Sequence, residues 1–112
     1  MLEEIVLLDT MHSAAPHERV FKLRFAAGEF DMVVYDELSN TCECYEVKHS
    51  YAMVADQARH LRTPENLTAT EHRFGRITRR CVLYRGPDDE LNGIEYRNVE
   101  DFLCKLGSDS RD

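Results

Sequence analysis

The chain switches between two hydrophobic periods, and the switches divide it into elements. From Leu2 to Thr10, apolar Leu2, Ile5 and Val6 recur at three- and four-residue spacing, which predicts a helix. It opens at the second residue without a cap, as expected of a helix cut from a longer one or completed by a partner. Ser13 to His17 is a linker by composition. Val20 to Phe25 alternates apolar and basic residues, the mark of a half-exposed strand, and Ala27-Gly28 turns the chain into a second strand, Phe30 to Tyr35. Polar Asp36 to Thr41, with Ser39-Asn40, is another hairpin connection, leading to a third strand from Cys42 to His49.

Val54 to Leu61 reads as a short helix. Thr63-Pro64 then breaks the chain and starts a second one, because threonine is favoured at a helix cap and proline at the first helical position. That helix runs to about Phe74, with Gly75 suited to end it. Ile77 to Tyr84 is a fourth strand, Gly86-Pro87-Asp88-Asp89 a turn, Gly93 to Arg97 a short strand and Val99 to Leu106 a terminal helix. Gly107 to Asp112 is a small, polar, flexible tail. A three-stranded meander with a helical crossover to a further strand predicts an α/β fold. Its centre is a mixed sheet of four to five strands flanked by helices, in one domain over residues 1–106.

At 112 residues there is room for one core. The longest apolar candidate, Ile5-Val6-Leu7-Leu8, is far short of a membrane span, and Glu3 and Glu4 stand where a secretory signal would be basic. No membrane partner is therefore expected. Cys42, Cys44, Cys81 and Cys104 form no CxxC units, and three lie in apolar patterns, so they read as reduced thiols of a cytoplasmic protein. A Cys42-x-Cys44 metal half-site is the minor alternative. The net charge of −7 argues against a general nucleic-acid coat protein, yet it is unevenly spread. Residues 59–85 hold seven arginines against two glutamates. Arg59 to Arg85 either face phosphates or lie scattered in solvent.

The chemistry concentrates at the end of the third strand. Glu46-Val47-Lys48 puts a carboxylate and an ammonium on one face, because strand side chains alternate with period two. Asp31 interrupts the apolar run Phe30-Asp31-Met32-Val33-Val34-Tyr35, where an uncompensated charge is costly. Adjacent strands can gather Asp31, Glu46 and Lys48 at one sheet edge. Two carboxylates can hold a divalent cation, and a nearby ammonium can orient water or phosphate. The competing reading is surface charge, with Glu46 and Lys48 in an ion pair on an exposed face.

Gly28-Glu29-Phe30-Asp31-Met32-Val33-Val34, followed by Tyr45-Glu46-Val47-Lys48-His49-Ser50, resembles the PD-(D/E)XK (restriction-endonuclease-like) nuclease fold. Within it, the chain is similar to an uncharacterised domain found at the C-terminus of bacterial and archaeal AAA-type ATPases. Asp56 to Leu61, Phe74 to Ile77, Val82 to Gly86 and Ile94 to Leu103 extend the likeness over nearly the whole chain. The resemblance implies metal-dependent cleavage of DNA phosphodiesters with Mg²⁺ or Mn²⁺. Asp31 and Glu46 would be the metal carboxylates, the Val47 carbonyl a further ligand and Lys48 the residue that positions the attacking water. Glu3 matches the acidic residue such folds often carry on their first helix. His49, Gln57 and Arg59 would contact substrate, although Leu61 stands where the related Gln-x-x-x-Tyr motif has tyrosine. No phosphate-binding Gly-x-x-x-x-Gly-Lys loop is present, so no ATP is expected. The alternative is a non-catalytic accessory domain that docks on an ATPase module, or on a second copy, through the first helix.

Overall fold

The computed structural model describes residues 2–26 and 28–109. The elements are α1 (Leu2–Ser13), β1 (Glu18–Phe25), β2 (Gly28–Asp36) and β3 (Thr41–Val47), then α2 (Pro64–Phe74), β4 (Arg76–Tyr84), β5 (Asp89–Leu91), β6 (Ile94–Asn98) and α3 (Val99–Asp109). The strands form one mixed sheet in the order β1-β2-β3-β4-β6-β5. β1, β2 and β3 meander antiparallel; β3, β4 and β6 run parallel, and β5 returns antiparallel along β6. The α/β class and mixed sheet agree with the hydrophobic pattern, but the sheet has six strands rather than four to five.

The extra strand is β5, whose three residues are all exposed and carry no apolar alternation. Its signal is the turn that follows. Asn92 and Gly93 have φ of 54° and 79°, as a two-residue hairpin turn requires. The helix expected over Val54 to Leu61 is instead two 3-10 turns, Ala55–Ala58 and His60–Arg62. Side chains three apart eclipse in a 3-10 turn, and Ala58 and Leu61 both reach the core. α2 starts at Pro64 and ends at Gly75, whose N–H donates to the Glu71 carbonyl. The Thr63 hydroxyl does not cap it, donating back to the Arg59 carbonyl at 2.9 Å. α3 runs to Asp109, through the first residues of the expected tail; residues 110–112 lie outside those described.

Helices cover both sheet faces. Leu61 of the 3-10 segment and Leu67 and Phe74 of α2 pack over Phe30, Val33, Cys44, Val82, Tyr84 and Tyr96. On the other face, Val6 of α1 and Val99 and Phe102 of α3 cover Met32, Tyr45, Val47, Cys81 and Leu83. Alternate residues of β4 therefore feed opposite cores, which is why its end reads as an unbroken apolar run.

One irregularity matters for the site. Phe21 pairs with Val33, but Leu23 pairs with Phe30, so Lys22 alone faces both Asp31 and Met32. This is a β-bulge, and it lets Phe30 and Val33, three positions apart, enter the same core.

Candidate active site

Asp31 occupies the bulge. The β2–β3 ladder runs from Asp36↔Thr41 to Met32↔Tyr45, and beyond it the Val47 N–H donates to Asp31 Oδ2 at 2.8 Å. The bulge thus turns a backbone irregularity into a side-chain anchor across the strands. Glu46 precedes Val47 and is only 2% exposed. Its carboxyl lies in hydrogen-bonding reach of the Asp31 carboxylate, while Glu46 Oε1 is buried with no hydrogen-bond partner among the described residues.

The electrostatics follow from this pairing. Burial is the largest influence, followed by the hydrogen bond to Asp31 and its negative charge; together they lift the Glu46 pKa to about 9. The Lys48 charge opposes the rise and Glu29 adds to it. At neutral pH the free protein therefore carries Glu46 protonated, since a buried carboxylate beside a second, half-buried one cannot ionise cheaply. Lys48 is half-buried on the side of β3 shared with Glu46, and its N–H continues the β3–β4 ladder to the Leu83 carbonyl at 2.8 Å. An exposed Glu46–Lys48 surface pair does not fit a glutamate buried this deeply.

The remaining predicted residues separate into roles. Glu3 lies on α1 with Oε2 3.9 Å from His49 Nε2, and its pKa is lowered by a backbone hydrogen bond first, then by charges including His49 and Lys22. Gln57 is held locally: its Oε1 accepts the Val54 N–H at 3.2 Å and its amide donates to the Ser50 hydroxyl. It fixes the loop after β3 instead of presenting its amide outward. Arg59 is exposed beside Asp56, at 3.9 Å. Among the described residues, no group of three or more His, Cys, Asp or Glu side chains gathers as a metal cluster, Cys42 and Cys44 included. Cys42, Cys44 and Cys81 are buried free thiols, and Cys104 is exposed.

The arginine-rich segment does not make one basic face. Arg79 forks onto Glu95 with two bonds of 3.0 Å and donates to the Tyr45 hydroxyl at 3.2 Å. Arg80, the next residue, donates to the Leu61 carbonyl at 3.1 Å on the opposite side of the sheet. A cavity of about 480 Å³ lies under α1 and α3, lined in part by Tyr45, Arg79, Arg97 and Phe102. Asp31, Glu46 and Lys48 are not part of its wall.

Sequence reasoning missed the bulge that aims Asp31 and the close approach of His60 to Gly28 three residues before it. Gly28 has φ of +112°, and a Cβ there would stand 2.2 Å from His60 Cε1. Both the conformation and the close approach of the 3-10 segment require glycine. The legible signal was the Ala27-Gly28 pair, read only as a turn.

No helix among the described residues is long and apolar enough to cross a membrane. Compared with family models, curated proteins and solved structures, the chain matches none.

Proposed function

We propose that the chain is a PD-(D/E)XK-type, metal-dependent phosphodiesterase acting on DNA, with Asp31 and Glu46 as metal carboxylates and Lys48 as the residue that orients the attacking water. The observation that carries this reading is the buried Glu46, which faces a second carboxylate with one oxygen unsatisfied. Such a pair is costly unless a proton or a cation compensates it. Mg²⁺ and Mn²⁺ fit, because Mg²⁺ sites commonly use one or two carboxylates and leave the remaining positions to water and substrate phosphate. A bound cation supplies charge stabilisation at the phosphate and a more acidic water. The chain's own part is to anchor Asp31 on the Val47 N–H, to release the Glu46 proton and to hold the Lys48 ammonium beside the reacting water. Val47 could add its carbonyl oxygen; Glu3 and His49, 3.9 Å apart, would stand as an outer pair.

The test is incubation of plasmid and linear DNA with the protein and Mn²⁺. Lys48→Ala should cut about 10²- to 10⁴-fold more slowly than the wild type. Equal cleavage by the two proteins would remove the enzymatic reading.

A second reading, a non-catalytic module docking on an ATPase or on another copy, is favoured by the outer face of α1. Ile5, Leu8 and Met11 recur there every three residues and are 50%, 54% and 43% exposed. Under this reading sedimentation would show a concentration-dependent complex that Leu8→Glu dissolves. A monomer at every concentration would count against self-association.

A further inference from the structure

Beyond the carboxylates, the ends of the parallel strands carry an exposed aromatic residue on a hydrogen-bonded loop. Tyr51 is 70% exposed and lies three residues after Lys48, so its Cα is within about 11 Å of the Lys48 Cα. The loop is tied down on several sides. The Ser50 carbonyl accepts the Arg85 N–H at 2.8 Å, extending the pairing of β3 with β4 past both strand ends. The Ser50 hydroxyl receives the Gln57 amide and donates to the Ala52 carbonyl at 3.1 Å. Gly86 lies so close beneath that a Cβ there would stand 2.5 Å from the Tyr51 carbonyl oxygen. Arg85 completes the arrangement, its guanidinium 5.8 Å from the Tyr51 ring centroid and donating to the Tyr51 hydroxyl at 3.3 Å.

An exposed ring on a mobile loop has no defined task. One fixed by its backbone, with Arg85 against it and Lys48 three residues before it in the chain, has the features of a stacking platform for a nucleobase. Every base presents a π-face, and the cations attract the phosphates that accompany it. A base paired inside a duplex has both faces covered by its neighbours. We infer that Tyr51, with Arg85, stacks an unpaired base, so that the preferred ligand is single-stranded nucleic acid or a duplex with a displaced strand, held beside Asp31, Glu46 and Lys48. The inference deepens the nuclease reading and rests on it for the identity of the ligand class.

The experiment measures binding of the full chain to an oligonucleotide carrying one 2-aminopurine, single-stranded or annealed to its complement, in EDTA so that cleavage plays no part. Wild type should bind the single strand more tightly than the duplex and quench the 2-aminopurine fluorescence, as stacking does. Tyr51→Ala should weaken single-strand binding about tenfold and abolish the quench, and Tyr51→Phe should retain both. Wild-type affinity and quench in Tyr51→Ala, or no single-strand binding by the wild type, would overturn the platform. Parallel cleavage assays in Mn²⁺ separate the two proposals. Tyr51-dependent binding without cleavage would sustain the platform and reject the enzyme; cleavage without Tyr51-dependent binding would do the reverse.

Discussion

Two glutamates of one sheet, Glu46 on β3 and Glu95 on β6, sit in surroundings of opposite charge. They occupy opposite faces, since Glu46 pairs in register with Val82 and Glu95 with the neighbouring Cys81. Glu95 Oε1 takes hydrogen bonds of 3.0 Å from both Arg79 and Arg97, and Oε2 another from Arg79. The Arg79 bond is the main reason its pKa is lowered. Glu46 is more deeply buried, yet it meets the Asp31 carboxylate where Glu95 meets guanidinium groups. One carboxylate has its countercharge built in and needs nothing more. The other is left to a proton, with a buried oxygen that nothing in the described residues satisfies. That contrast separates a carboxylate neutralised by guanidinium groups from one neutralised by a proton, and the proposed cation site rests on it.

The sharpest way to break the contrast is to neutralise each glutamate in turn and measure Mn²⁺-dependent cleavage. Glu46→Gln should lose about 10²-fold or more, whereas Glu95→Gln should stay within roughly twofold of wild type. Equal losses would make the two sites equivalent and erase the distinction.

Stability should move in opposite directions. Glu95→Gln removes an acceptor from two partly exposed arginines, and urea denaturation should show a loss of about 1–2 kcal/mol after allowance for solvent screening. Glu46→Gln replaces a forced proton by a permanent amide, and at about pH 8 without metal it should gain about 1–2 kcal/mol. A loss in both variants would mean that Glu46 is a structural group like Glu95.

The pH dependence should also split. With its folded pKa raised from 4.5 to about 9, Glu46 keeps in the native state a proton that the unfolded chain releases. Its contribution is full below about pH 4.5 and is lost as pH rises towards 9, so the metal-free protein weakens over that window. Glu95, with a lowered pKa, contributes above the ordinary glutamate range and loses its contribution only as acid protonates it. Thermal melts across pH should show Glu46→Gln flattening the slope between about pH 4.5 and 9, and Glu95→Gln altering only the acid limb below it.

The parts of this arrangement that local pattern controls were legible in the sequence. Period-two alternation located β2 and β3 and put Glu46 and Lys48 on one face; the apolar company of Asp31 marked it as a costly charge. Thr63-Pro64 and Gly75 bounded α2. What remained hidden depends on partners distant in sequence. The bulge at Asp31 and Met32 emerges only from the pairing with Lys22, and the depth of Glu46 only from the elements stacked over it. The arginine-rich stretch suggested one basic face because charge sums carry no direction. Arg79 and Arg80, adjacent on a strand, necessarily point to opposite sides. β5 was missed because an all-exposed edge strand has no hydrophobic period to read.

The most direct test is calorimetric titration of Mn²⁺ into the protein at about pH 6 and about pH 8, repeated in buffers of different ionisation enthalpy. If Glu46 exchanges its proton for the cation, one site should bind, release about one proton and tighten about tenfold per pH unit, and Glu46→Gln should abolish it. Absence of binding in the wild type at both pH values, or equal binding by Glu46→Gln, would contradict it.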